Sequence, residues 1–107
     1  MHGADGRSYP HGEQLAPDDA NIDITYGRRE GGFGPDEVAS HPASNSPFGL
    51  ADGSGNLFEM VRSGSGFAIR GGCFYTGEQT AHLANREPFT VTMRHLLTGV
   101  RICADPR

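Results

Sequence analysis

Asp52 and Glu59 stand on either side of a Gly-Ser-Gly turn in the stretch FGLADGSGNLFEM, residues 48–60, with apolar side chains before and after. Two carboxylates on a tight turn suit a hard cation such as calcium, which takes about six to eight oxygens from carboxylates, side-chain amides and backbone carbonyls. Gly53 and Gly55 let the backbone bend, so that the carbonyls of Gly55 and Leu57 can turn inward beside the two acids. The spacing is not that of an EF-hand, because the alternating acids of that loop are absent. On spacing alone, an ordinary glycine turn whose acids face solvent or cap backbone amides fits these residues better than calcium does.

Other reactive residue types carry weaker signals. The five histidines, His2, His11, His41, His82 and His95, show neither HxxxH nor HExxH spacing, so hydrogen-bonded or solvated rings are the default and zinc is not indicated. Arg70, Arg86, Arg94 and Arg101 lie near strand candidates. They could bind an anion, but pairing with Asp or Glu is the stronger reading. Ser63, Ser65 and Thr76 lack a nucleophile context such as GxSxG. Cys73 and Cys103 are too few for a disulfide scaffold or a Cys-rich zinc site. They can pair with each other, pair with a partner chain, or stay free.

Whatever positions these groups must be built from a turn-rich chain. Its 107 residues suffice for one domain, only 36% are apolar, and 16 glycines and 7 prolines break up long regular elements. A net charge of −4 and a pI near 5.6 argue against a nucleic-acid surface. No apolar run approaches the roughly 20 residues of a membrane helix, and the N-terminus is polar rather than signal-like, so a soluble chain is predicted. Residues 1–20 read as irregular or loosely ordered. Ala20 to Tyr26 alternates Ile22, Ile24 and Tyr26 with polar neighbours, predicting a short half-buried strand or extended stretch. Further strands are predicted over Asn56–Val61, over Phe67–Tyr75 with a bulge or close approach at Gly71 and Gly72, and over Leu96–Ala104. A helical turn fits TGEQTAHLANRE, and the strands together predict a small antiparallel sheet.

The stretches FGLADGSGNLFEM, IRGGCF, ANR and GVRICA, in that order, resemble the formylglycine-generating enzyme or sulfatase-modifying factor family, whose motifs read roughly FGLYDMSGNVWEW, LRGGSW, AxR and GFRCA. DGRSYPHGE and ANI are similar to that family's GRxYPWG and AN segments. The resemblance runs from about Gly6 to Ala104, and it matches the later part of the family domain without the usual opening portion, which includes an RLPTEAEWE-type segment.

This resemblance implies an α+β, C-type-lectin-like fold: a small twisted antiparallel sheet with long irregular loops, little helix and bound structural calcium. Carried over residue by residue, one calcium falls on Asp52, the carbonyls of Gly55 and Leu57, and Glu59. A second falls on Asn21, Ile22 and Phe33, but its acid position is Gly31 here, with Glu30 beside it. The copper-binding cysteines of the catalytic members fall on Thr76 and Ala81. Cu(I) requires soft thiolates, so no copper is expected and the catalytic pair is missing. Cys73 replaces the serine that usually follows the glycine pair. The resemblance therefore implies a non-catalytic module that binds a protein or small-molecule ligand through residues such as Phe74, Tyr75, His82 and Arg94. Such domains are often appended to bacterial serine/threonine kinases. The competing implication is a family enzyme with oxygen-dependent or sulfatase-maturation chemistry. A homodimer, or completion of the fold by another chain, is a further expectation.

Overall fold

The structure is a computed structural model that describes residues 6–27, 34–90 and 96–102. Its regular centre is a hairpin of β1 (Phe58–Ser63) and β2 (Gly66–Arg70), antiparallel from Ser63↔Gly66 to Glu59↔Arg70. Gly64, the first residue of the two-residue loop, has φ +60°. A type II′ hairpin turn requires a positive φ at that position. After β2 come one turn of helix, α1 (Glu78–Ala81), then β3 (Glu87–Phe89) and β4 (Thr98–Gly99). The sheet order is β3-β2-β1-β4.

The sheet is mixed rather than antiparallel. β4 pairs parallel with β1, through Phe58↔Thr98 and Glu59↔Gly99. Parallel pairing needs a long crossover, and the chain between β1 and β4 runs through β2, α1 and β3 before returning. β4 is also far shorter than the strand expected over Leu96–Ala104, whose last residues lie outside the described ones. β3 has no counterpart among the predicted strands. It contains Pro88 and lies at the sheet edge, where a missing N–H is tolerated.

Ala20–Tyr26 is a series of turns, not a strand. The Thr25 hydroxyl accepts from the Ile22 N–H at 3.0 Å and donates to the Ala20 carbonyl at 2.6 Å. The Thr25 N–H in turn donates to Ile22 O at 3.1 Å. This local side-chain bonding competes with a ladder and sends Ile22 inward, 1% exposed, while Ile24 is 56% exposed.

Much of the core is built from loops. Tyr9, Leu15, Ala20, Ile22 and Ala81 form one buried cluster, so the irregular N-terminal segment is packed from Tyr9 onward. The Tyr9 hydroxyl donates to Glu78 O at 3.1 Å, and the Leu83 N–H donates to Ser8 O at 2.8 Å. The close approach expected at the glycine pair is present. Gly72 has φ +71°, and a Cβ there would lie 3.0 Å from the Ala81 Cα. β2 stops where this contact begins.

Candidate metal centre

Residues 52–59 are coiled by left-handed backbone: φ is +53° at Asp52, +78° at Gly55 and +67° at Asn56. Asp and Asn are the non-glycine residues that tolerate this region best. Three backbone bonds hold the coil against two other segments, at Asn21 and at Gly71–Phe74. The Gly55 N–H donates to Gly71 O at 2.6 Å, the Asn56 N–H to Asn21 O at 2.8 Å, and the Phe74 N–H to Asn56 O at 2.9 Å.

Asn56 is the hub of this arrangement. Its buried side-chain carbonyl accepts from the Asp36 N–H at 2.7 Å and from Asn21 Nδ2 at 3.2 Å, and its own amide donates to Asp36 O at 3.3 Å. Asn21 Nδ2 also donates to Gly34 O at 2.8 Å. Two buried amides thereby join the loops around residues 21, 36 and 56, and polar groups this deep are retained only when satisfied.

Asp52, Gly55, Leu57 and Glu59 all line one cavity of about 320 Å³, together with Val38, Ala39, Gly99, Val100 and Arg101. Asp52 Oδ2 accepts from the Ala39 N–H at 2.6 Å. Among the described residues, no donor reaches the carbonyl of Gly55 or of Leu57. Glu59 is held by Arg101: Nε donates to Oε2 at 2.8 Å and Nη2 to Oε1 at 2.7 Å, while Nη2 also reaches Ala51 O at 2.7 Å. The two carboxylates and two carbonyls are hard oxygens, the donor type that calcium takes, and their residues line the same cavity. No group of three or more His, Cys, Asp or Glu is gathered for a metal among the described residues.

The residues of the second expected calcium set make other bonds, and one of them is not described. Asn21 commits its amide to Gly34 and Asn56, Ile22 O accepts from Thr25, and Phe33 lies outside the described residues. Of the expected ligand-contacting residues, Phe74 is buried at 7% exposure and Tyr75 is 51% exposed. The His82 ring meets Tyr9 edge-on at 5.5 Å, and its Nδ1 accepts from the Ala84 N–H at 3.0 Å. Arg94 lies outside the described residues.

At the two positions matching the copper cysteines, the side chains serve the fold. The Thr76 hydroxyl accepts from the Cys73 N–H at 3.0 Å and closes a turn. Ala81 is fully buried against Gly72, and its carbonyl accepts from Ser54 Oγ at 2.9 Å. Cys73 is a free, fully buried thiol. This donor set does not fit Cu(I).

A second polar cluster carries no sequence signal. His41 Nε2 lies 2.7 Å from Asp36 Oδ2, and Nδ1 lies 3.0 Å from Asp18 O. The Tyr26 hydroxyl donates to the same Asp36 oxygen at 2.5 Å. Burial pulls the His41 pKa down, but the hydrogen bonds to Asp36 and Asp18 and the charges of Asp36 and Asp52 outweigh it, so the net shift is upward. The bond to Asp36, then burial and the charges of Asp36 and Asp18, raise the Tyr26 hydroxyl. No motif spacing links these residues, so only the fold reveals them.

The family model of the sulfatase-modifying factor enzyme 1-like domain matches residues 1–106. The chain belongs to this family. No curated protein matches the sequence. In this sulfatase-modifying factor-like chain, the small curled mixed sheet with long loops and little helix is the C-type-lectin-like fold expected for the domain. No helix among the described residues is long and apolar enough to cross a membrane.

Proposed function

We propose that this chain is a non-catalytic binding module of the sulfatase-modifying factor family, whose loop scaffold is fastened by one calcium ion. What supports the reading is that Asp52, Gly55, Leu57 and Glu59 line a single cavity, and that among the described residues no donor reaches the carbonyl of Gly55 or Leu57. These groups are hard oxygen donors on a coiled backbone, so a bound calcium would supply charge neutralisation and cross-link the turn to the start of β1. Asp52 and Glu59 would hold the ion, and Asn56 and Gly55 would hold the coil. Calcium has no redox role in this reading.

The non-catalytic part rests on positions 76 and 81. A hydroxyl that closes a turn and a fully buried methyl leave no thiolate pair for Cu(I). Half-exposed Tyr75, next to buried Phe74, is the residue we assign to meeting a protein or small-molecule ligand.

Thermal unfolding with calcium and with chelator, paired with metal analysis, tests the proposal. An ion that binds only the folded state stabilises it by about 2.7 kcal/mol at a hundredfold excess over its Kd. That corresponds to a midpoint rise of roughly 10–20 °C for a chain of this size. Asp52→Asn is expected to abolish most of the rise. A midpoint indifferent to calcium, with no calcium retained, overturns the reading.

A further inference from the structure

We infer that Arg101 is a built-in competitor for calcium: its guanidinium holds the Glu59 carboxylate in the cation-free state and must give up at least one oxygen when calcium enters. This rests on the calcium reading above and adds the regulation of that site. The geometry is specific. Arg101 engages both carboxylate oxygens through a two-pronged fork at 2.7 and 2.8 Å and lines the same cavity as the four donors. Its Nη2 also donates to the carbonyl of Ala51, the residue before Asp52. The guanidinium therefore bridges both acid-bearing ends of the turn.

A carboxylate whose two oxygens are both committed cannot offer calcium a bidentate bond. The charges point the same way. Asp52, Glu59 and Arg101 sum to −1 without metal, and calcium would bring the cluster to +1 with the guanidinium still in place. Like charges at such short range repel, so calcium binding and the Arg101 fork oppose each other. The exchange also reaches the sheet. β4 pairs with β1 only through Phe58↔Thr98 and Glu59↔Gly99, and Arg101 follows it closely along the chain. The Arg101 fork thus ties the segment after β4 to the turn, and calcium entry would loosen it.

The test is calorimetric titration of the full chain with calcium chloride, comparing the wild type with Arg101→Gln, and each protein's thermal midpoint in chelator. With the pair side chains 31% and 25% exposed, solvent weakens the fork. Its removal is expected to tighten calcium binding by about fivefold to tenfold. The midpoint in chelator is expected to fall. If Arg101→Gln fails to fold, the arginine Nε–H resonance of the wild type provides the readout: calcium saturation shifts the Arg101 signal away from its carboxylate-bonded position. Unchanged or weaker calcium affinity in Arg101→Gln, or an Arg101 resonance indifferent to calcium, overturns the inference while leaving the calcium site standing. Absence of calcium binding in both proteins overturns the site and, with it, the competition.

Discussion

Gly55→Ala tests whether the glycine turn is what gathers the donors. Gly55 has φ +78°, and an added Cβ would sit 2.7 Å from the Asn21 carbonyl oxygen and 3.1 Å from the Ala20 Cβ. The left-handed conformation alone costs alanine about 1–2 kcal/mol. Alanine's smaller unfolded-state entropy offsets about 0.4–1 kcal/mol of that. The steric term is the larger one, because the obstructing atom is backbone and cannot rotate away. That carbonyl also accepts the Asn56 N–H at 2.8 Å, so pushing it aside lengthens a buried hydrogen bond. Overpacking of this kind costs about 1–3 kcal/mol and a weakened bond about 1 kcal/mol, for a total of roughly 2–6 kcal/mol. A chain of this length has about 5–15 kcal/mol in all. Gly49→Ala is the control: φ is +80° there, yet nothing lies within 4 Å of the added Cβ, so only the conformational term applies. Urea unfolding followed by far-ultraviolet circular dichroism, with chelator present throughout, is expected to show Gly55→Ala losing about 2–4 kcal/mol more than Gly49→Ala. Equal losses would refute the argument that close approach to Asn21 shapes this turn.

Two further predictions concern groups away from the turn. His41 has a folded-state pKa above its ordinary value, so its contribution to stability is fully present below about pH 6.5 and is lost as pH rises through the folded value. In chemical unfolding between pH 5.5 and 9, the stability advantage of wild type over His41→Gln is expected to shrink with rising pH; an advantage that grows would contradict the doubly hydrogen-bonded ring. Cys73 is fully buried, so in a Cys103→Ser background its thiol is expected to react with a thiol reagent only as fast as the chain opens. Immediate labelling under native conditions would place Cys73 at the surface.

What could be read in the sequence was local. The candidate donors at Asp52, Gly55, Leu57 and Glu59 lie within one short stretch, and glycine, aspartate and asparagine at 52–56 are the residues that coil a backbone to the left. The starts of β1 and β2 lie within two residues of the strands predicted from Asn56 and from Phe67, because both stretches are apolar runs. The parallel β4 was not, since its direction depends on a crossover through β2, α1 and β3. Nor was the Arg101–Glu59 fork, whose partners are 42 residues apart. Ile22, Ile24 and Tyr26 alternate as a strand would, yet the Thr25 hydroxyl supplies local partners that no count of apolar residues reveals. His41, Asp36 and Asp18 meet where the Asn21–Asn56 amides also join their loops, a juxtaposition that no local pattern encodes.

The same contrast explains why positions 76 and 81 bear on function more than an absent cysteine would by itself. A surface position that lost a thiol could regain it with little effect on the fold. Ala81 cannot, because Gly72 passes so close that even a Cβ added to that glycine would be 3.0 Å from the Ala81 Cα and 3.2 Å from its Cβ. A sulfur added to a fully buried methyl there enters packed space. Thr76 is committed differently: its hydroxyl closes the turn that contains Cys73, and its carbonyl accepts the Asp23 N–H at 3.0 Å, tying that turn to the Ile22 segment of the core. Both positions now serve the packing that supports the Asp52–Glu59 turn. The scaffold and the proposed calcium site are thus built from the same loops, and a thiol at position 81 would enter the packed space between them.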